Sequence, residues 1–230
     1  MLGMLYADKR DYAKALAEGE RAIALDPSGA ETHVYYGSIL TSAGRPQEAI
    51  PMFQKAIRLN PSGPAWYYTS FGQALRMTGR FEEAVSAYEK AIPLAPNSIW
   101  AHFGLALTYL YAGKAAEAIP FCQKAIELSS SGPFYFYNVF GTVLRITGRF
   151  EEAVSTYKKA LQLAPDDIFA RAGLATTYIM MGREKEARAE GAEILRIDPN
   201  FTIERFLKGA PGNQSYKDRI ADALRKAGLK

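Results

Sequence analysis

Two histidines and one cysteine are the side chains of this sequence that could most readily serve as metal ligands, bases or nucleophiles. His33 and His102 lie 69 residues apart, and Cys122 follows 20 residues further on. This spacing does not match a zinc site, whose ligands come in closely spaced pairs. We therefore predict that both histidines are packing residues and that Cys122 is a buried small hydrophobic residue, not a nucleophile.

Paired carboxylates are the second feature that could do chemistry, as a general acid and a general base. Glu82-Glu83 and Glu151-Glu152 each come early in a predicted helix, where negative charge stabilises the helix dipole. No glycine-rich phosphate loop follows a predicted strand, because no strand is predicted. We therefore predict a protein that is not an enzyme and that uses no cofactor and no metal.

These residues belong to a sequence that repeats. From Gly72 to Pro96 the chain reads GQALRMTGRFEEAVSAYEKAIPLAP, and from Gly141 to Pro165 it reads GTVLRITGRFEEAVSTYKKALQLAP. Small residues recur every 34 or 35 residues, at Gly3, Gly37, Gly72, Ala106, Gly141 and Ala175, and again at Ala15, Ala49, Ala84, Ala118, Ala153 and Ala187. A period of this length is typical of arrays of stacked helical repeats.

Each repeat predicts two helices joined by a short turn. A Gly-Arg or Gly-Lys pair such as Gly79-Arg80 would end the first helix in a left-handed conformation. A proline such as Pro96 would end the second helix. Places are counted from the first residue of the first helix. The small residue at the eighth place, such as Gly72, is expected to meet the alanine at the twentieth, such as Ala84.

The pattern resembles the tetratricopeptide repeat (TPR) family, whose small residue, Ala-x3-aromatic and terminal proline occur here in phase, as at Gly72, Ala84 and Tyr88. The resemblance implies an all-α fold, a right-handed α-α superhelix (a TPR solenoid) of about six helix-turn-helix repeats. We expect six repeats over residues 1–200, the first of them truncated, and C-terminal capping helices over residues 201–230.

By the same resemblance, the first helices line a concave groove in which the family's ligands usually lie. The second place of successive repeats carries an aromatic ladder, at Trp66, Trp100, Tyr135 and Phe169. Aromatic rings with arginine and amide groups suit an extended peptide. The predicted peptide- or protein-binding residues are Trp66, Thr69, Gln73, Arg76, Trp100, Phe103, Leu107, Tyr111, Tyr135, Asn138, Thr142, Arg145 and Phe169.

Two alternatives remain open for these residues. The aromatic ladder could pack between adjacent first helices instead of facing a ligand. Arg76 and Arg145 occupy equivalent places and could bind a carboxylate bidentately or cap helix ends near the glycine turns.

Family members that hold the acidic tails of chaperones use a Lys/Asn/Arg clamp. The corresponding places here are mostly Thr, Ser, Val, Phe and Gly, so that ligand class is not expected.

The excess positive charge lies at the C-terminal end. The net charge is +4, and the last thirty residues hold seven basic and three acidic side chains. The repeats are therefore neutral, which argues against a nucleic-acid partner. The basic tail could touch an acidic partner or form a solvated capping helix.

No apolar run approaches the length of a membrane span, and a single cysteine fits a reducing, cytoplasmic location.

Both ends of the sequence suggest a larger protein. Met1 falls near the sixth place of a repeat, so we expect a fragment whose missing part is N-terminal. The tail from Asp198 to Leu229 resembles the C-terminal ends of TPR segments in bacterial adenylate or guanylate cyclase-type signalling proteins. We predict a protein-protein interaction scaffold that binds a protein or peptide in the concave groove. The alternative is a C-terminal regulatory segment of such a signalling enzyme, and self-association through the terminal repeats is a third possibility.

Overall fold

The computed structural model describes residues 2–129, 132–208 and 214–230. Within these ranges the chain forms fourteen α-helices and no strand, which confirms the predicted all-α fold. The helices are α1 (Leu2–Asp8), α2 (Tyr12–Leu25), α3 (Ala30–Ser42), α4 (Pro46–Leu59), α5 (Ala65–Met77), α6 (Phe81–Leu94), α7 (Ile99–Tyr111), α8 (Ala115–Leu128), α9 (Phe134–Ile146), α10 (Phe150–Leu163), α11 (Ile168–Met180), α12 (Glu184–Ile197), α13 (Ile203–Leu207) and α14 (Gln214–Lys226).

Consecutive helices pack as pairs, as the repeat predicts. From α3 to α12 each first helix has 13 residues and each second helix has 14. The chain forms two compact units, Met1–Thr108 and Tyr109–Lys230. In the first unit α1 packs on α2, α3 on α4 and α5 on α6. In the second unit α9 packs on α10 and α11 on α12.

The turn inside each pair is made by a glycine in the left-handed region, as predicted. The five glycines have φ angles between 75° and 78° and are Gly44, Gly79, Gly113, Gly148 and Gly182. An L-residue with a Cβ is disfavoured at such an angle. The residue after four of these glycines is an arginine whose guanidinium pairs with the glutamate three residues on: Arg45 with Glu48, Arg80 with Glu83, Arg149 with Glu152 and Arg183 with Glu186.

The small residues of the repeat make room for an aromatic ring. A Cβ added at Gly72 would lie 2.8 Å from the ring of Tyr88, and one added at Gly104 would lie 2.4 Å from the same ring. Tyr88 therefore lies between a glycine of its own repeat and a glycine of the next. The three atoms nearest to a Cβ added at Gly72 all belong to Tyr88. The contact of the eighth place with the alanine at the twentieth stays a prediction.

The same arrangement occurs in the second unit. The ring of Tyr157 lies 2.8 Å from a Cβ added at Gly141 and 2.4 Å from one added at Gly173. Both tyrosines are almost fully buried. Each ring is therefore confined by glycines of two successive first helices.

In four first helices the side chain at the fourth place donates a hydrogen bond to the carbonyl of the proline that ends the preceding repeat. The pairs are His33 Nε2 with Pro27 (2.9 Å), Tyr68 Oη with Pro61 (2.8 Å), His102 Nε2 with Pro96 (2.9 Å) and Arg171 Nη2 with Pro165 (2.9 Å). Both histidines are buried. They therefore hold the turn between repeats against the next helix.

The C-terminal helices cover the last helix pair. Ile220, Leu224 and Ala227 lie in one apolar cluster with Leu174 and Ile194 of α11 and α12. A division of the chain into repeats up to residue 200 and capping helices from residue 201 remains a prediction.

A glycine in α12 explains how this segment fits. Gly191 stands where Tyr88 and Tyr157 stand in their repeats, and a Cβ at Gly191 would lie 2.1 Å from the carbonyl oxygen of Ala227. The end of α14 therefore occupies the space that an aromatic ring fills elsewhere.

Gly104→Ala should destabilise the first unit, because the added Cβ would press on a ring that Gly72 confines from the other side. We expect the free energy of unfolding to fall by about 1–3 kcal/mol, measured by urea denaturation. Tyr88→Leu in the same chain should recover part of this loss. A Gly104→Ala variant as stable as the natural chain would show that Tyr88 is not confined.

Cys122 should be inert in the folded protein. Burial raises the pKa of its thiol to about 12, so the reactive thiolate is scarce at neutral pH. We expect no reaction with a thiol-specific disulfide reagent at pH 8 until denaturant is added. The matched control is Ser86→Cys, because Ser86 is exposed on α6, and it should react at once. Equal rates at the two positions would contradict the prediction.

Candidate functional site

The predicted binding residues of the first unit come together in one groove. It lies between α5 and α7, has a volume of about 620 Å³ and is called the α5–α7 groove below. Its lining includes all seven of the predicted residues that belong to this unit, namely Trp66, Thr69, Gln73, Arg76, Trp100, Phe103 and Leu107. They meet because equal places of two consecutive first helices lie on the same side of the repeats.

The two tryptophans of the groove differ in how they are held. Trp66 is half-buried, and its ring lies 5.1 Å from that of Tyr35 and 4.8 Å, edge to face, from that of Tyr67. Trp100, at the same place one repeat later, is 58% exposed. Trp66 therefore packs between first helices, whereas Trp100 presents its ring to solvent.

Seven lining residues were not predicted from the sequence, and two of them contact each other. Tyr88 and Gly104 also line the groove, and a Cβ at Gly104 would lie 2.6 Å from the Tyr88 hydroxyl oxygen. Gly104 thus gives the second-helix tyrosine access to the groove. The recurrence of glycine at the sixth place, at Gly104 and Gly173, is the sequence signal that could have identified them.

The groove is mainly apolar with one charged side chain. Among its described lining residues, Arg76 alone carries a charge. Burial raises the pKa of the Tyr88 hydroxyl, and the nearby Arg76 guanidinium offsets part of that rise. Thr69 donates to the carbonyl of Ala65 at 3.1 Å, and Gln73 is exposed. The lining therefore offers an amide and a cation beside aromatic surface.

In the second unit the equivalent residues contact their own chain. The Asn138 side-chain amide donates to the carboxylate of Asp167, which also accepts from the backbone N–H of Ala170 at 2.9 Å and so caps α11. Thr142 donates to the Asn138 carbonyl and lies 2.9 Å from the Tyr157 hydroxyl. Asn138 and Thr142 thus support the packing of α9 against α10 and α11.

Arg145 contacts the C-terminal segment of its own chain. It is only 7% exposed, and its Nη2 donates to the hydroxyl of Tyr216 on α14 at 2.6 Å. Burial lowers the pKa of the Arg145 guanidinium, but the neighbouring hydroxyls of Tyr157 and Tyr216 outweigh this, and the pKa is raised. Arg145 therefore keeps its charge among tyrosines.

The remaining predicted residues are Tyr135, Phe169 and Tyr111. The Tyr135 ring meets those of Phe134 and Phe136 edge to face, at 5.8 and 5.1 Å. Phe169 is 63% exposed, and its ring lies 5.3 Å from that of Phe206 on α13. Tyr111 is exposed at the end of α7.

Across residues 2–129, 132–208 and 214–230, no three His, Cys, Asp or Glu side chains lie close enough together to hold a metal ion. In the same described ranges, no helix combines the length and the apolar character that crossing a bilayer requires.

Two solved structures show the same fold. A structure of pilF from Pseudomonas aeruginosa is 20% identical, has a TM-score of 0.73 and matches 87% of this chain and 90% of that one. YrrB, described as a TPR protein with an unusual peptide-binding site, is 21% identical, has a TM-score of 0.65 and matches 79% of this chain and 93% of that one.

Two curated relatives share sequence with the chain. TPR repeat-containing protein YpiA of Bacillus subtilis (strain 168) is 25% identical over 210 residues, 87% of this chain. Protein O-mannosyl-transferase TMTC2 of Homo sapiens is 40% identical over 153 residues, 66% of this chain. The chain spans 39% of the first relative's length and 18% of the second's.

Family models give the broadest match. A tetratricopeptide repeat model matches residues 30–97 and 97–165, and two further models of this repeat match residues 144–205 and 1–28. These matches agree with the helix pairs and their glycine turns. The chain belongs to the tetratricopeptide repeat family.

Proposed function

We propose that the chain is a protein-protein interaction scaffold that binds a peptide segment of a partner in the α5–α7 groove. The observation that carries this proposal is the meeting of seven predicted residues in one groove of about 620 Å³. That volume is within the usual range for ligand sites. Membership of the TPR family and the likeness to YrrB, a TPR protein with a peptide-binding site, support the same conclusion.

The chemistry of the groove favours a particular kind of segment. The Trp100 ring offers a large, rigid apolar surface, and such rings dominate the binding energy of many interfaces. Gln73 can pair with a peptide backbone, and Arg76 favours an acceptor or anionic group. We infer that the segment is mainly apolar and carries an acceptor near Arg76.

We also propose that the chain performs no reaction of its own, requires no cofactor and acts in the cytoplasm on protein, not on nucleic acid. The rings of His33 and His102 are engaged with proline carbonyls. The Cys122 thiol is buried. These groups therefore serve packing in the described structure.

Two other predictions remain to be tested. A role as the regulatory segment of a cyclase-type signalling enzyme would be tested by the upstream reading frame of the gene. Self-association through the terminal repeats rests on Leu2 and Leu5 of α1, which are 50% and 58% exposed. Sizing at several concentrations would test it.

Trp100→Ala should weaken partner binding by about 10- to 100-fold, because loss of a central aromatic residue at an interface commonly costs that much. A partner is first captured from lysate of the source organism with the natural chain and identified. The affinity of the purified partner is then measured by calorimetry for each variant. Circular dichroism checks that each variant is folded.

Phe169→Ala is the matched control, because Phe169 holds the same place 69 residues later, is also exposed and lies outside the α5–α7 groove. It should leave the affinity unchanged. Equal affinities for the natural chain and Trp100→Ala would contradict binding in this groove. A loss confined to Phe169→Ala would place the partner on the second unit instead.

A further inference from the structure

The buried cation of the second unit has no acidic partner there. Arg145 is 93% buried, and among the residues that the structure describes it forms no ion pair with a carboxylate. Its Nε and Nη1 are buried without a hydrogen-bond acceptor, while Nη2 donates to Tyr216. A buried charge is costly unless it is paired and hydrogen-bonded. Arg145 is therefore a donor group with unused capacity.

The surroundings of Arg145 are suited to an anion that also carries an aromatic or apolar group. The Arg145 guanidinium lies 5.6 Å from the centre of the Tyr216 ring, as in a cation–π contact. The Tyr157 hydroxyl, which lies 2.9 Å from the Thr142 hydroxyl, also neighbours the guanidinium. A neutral phenol satisfies one donor of a guanidinium, whereas a carboxylate satisfies two in a bidentate pair.

The C-terminal helices contact two first-helix residues whose counterparts line the α5–α7 groove in the first unit. Tyr216 of α14 contacts Arg145, the equivalent of Arg76, and Phe206 of α13 contacts Phe169, the equivalent of Trp100. In the first unit Arg76 and Trp100 line the α5–α7 groove. The chain's own tail thus covers Arg145, whose first-unit counterpart lies in the groove, and contacts Phe169, which stays exposed.

We propose that Arg145 is the anchor of a second binding site, for a carboxylate-bearing aromatic or apolar end of a peptide, and that α14 closes this site through Tyr216. The Tyr216 ring and hydroxyl occupy the places that the ligand's side chain and one carboxylate oxygen take. Binding displaces Tyr216 from the guanidinium and supplies a bidentate acceptor. This site is distinct from the α5–α7 groove and does not depend on it.

Arginine modification with phenylglyoxal, mapped by mass spectrometry on the full chain, tests the proposal. In Tyr216→Ala the rate at Arg145 should rise about tenfold, because loss of a hydrogen bond to a charged group shifts an equilibrium by about that factor. N-acetylphenylalanine, which carries a ring and a carboxylate, should then protect Arg145. Its amide, which lacks the carboxylate, should not.

Two controls keep the result specific. Lys217→Ala alters the neighbouring residue of α14 and should leave the Arg145 rate unchanged. Arg171, which pairs with Glu190 in the same unit at 2.8 Å, should stay protected in every variant if the unit remains folded. Tyr216→Phe, which keeps the ring and loses only the hydroxyl, should give an intermediate rate and replaces Tyr216→Ala if Arg171 becomes reactive.

Equal Arg145 rates in the natural chain and in the folded Tyr216 variants would overturn the role of Tyr216 in closing the site. Equal protection by the acid and the amide, or protection by neither, would overturn the carboxylate site.

Discussion

A tyrosine ring held between two glycines joins α5, α6 and α7, and a second such ring joins α9, α10 and α11. Tyr88 lies against Gly72 of its own repeat and Gly104 of the next, so one side chain joins three helices. Neither glycine could carry a Cβ without moving the ring. Trp66 and Trp100, at the same place of α5 and α7, line one groove together with Tyr88 and Gly104.

The two copies of the long repeat share this contact but use the adjacent surface differently. In the first unit Arg76 lines the α5–α7 groove. In the second unit Arg145 is covered by Tyr216 of the C-terminal segment. Gly191 contributes to this difference, since the space of the missing aromatic ring is taken by the end of α14. The glycine at position 191, where two other repeats have a tyrosine, therefore accompanies the change from an open surface at Arg76 to a covered one at Arg145.

The local features of the fold could be predicted because they repeat. Each glycine turn and each proline recurs at a fixed step, and a left-handed cap needs only its own residue and two or three neighbours. The seven groove residues could be predicted as a group because equal places in consecutive repeats lie on the same side. The position of the Tyr88 ring beside Gly72 could not be predicted in this way. Tyr88 and Ala84 are one turn apart in α6, and both are compatible with the repeat spacing.

Contacts made outside the repeat period could not be predicted. Arg145 and Tyr216 are 71 residues apart, and no counterpart of Tyr216 occurs at an equivalent place in the repeats. Asn138 was assigned to a ligand from its place alone, but its amide is bound by Asp167, the residue that caps the next helix. Such pairings depend on tertiary neighbours that an isolated repeat does not reveal.

The central claim is that the α5–α7 groove receives the partner, and tryptophan fluorescence tests it most directly. The chain has two tryptophans, and both line this groove, so their emission reports on it specifically. Titration with a purified, tryptophan-free partner peptide should give a saturable shift in emission with the dissociation constant found by calorimetry. Binding detected by calorimetry with no change in tryptophan emission would contradict the claim.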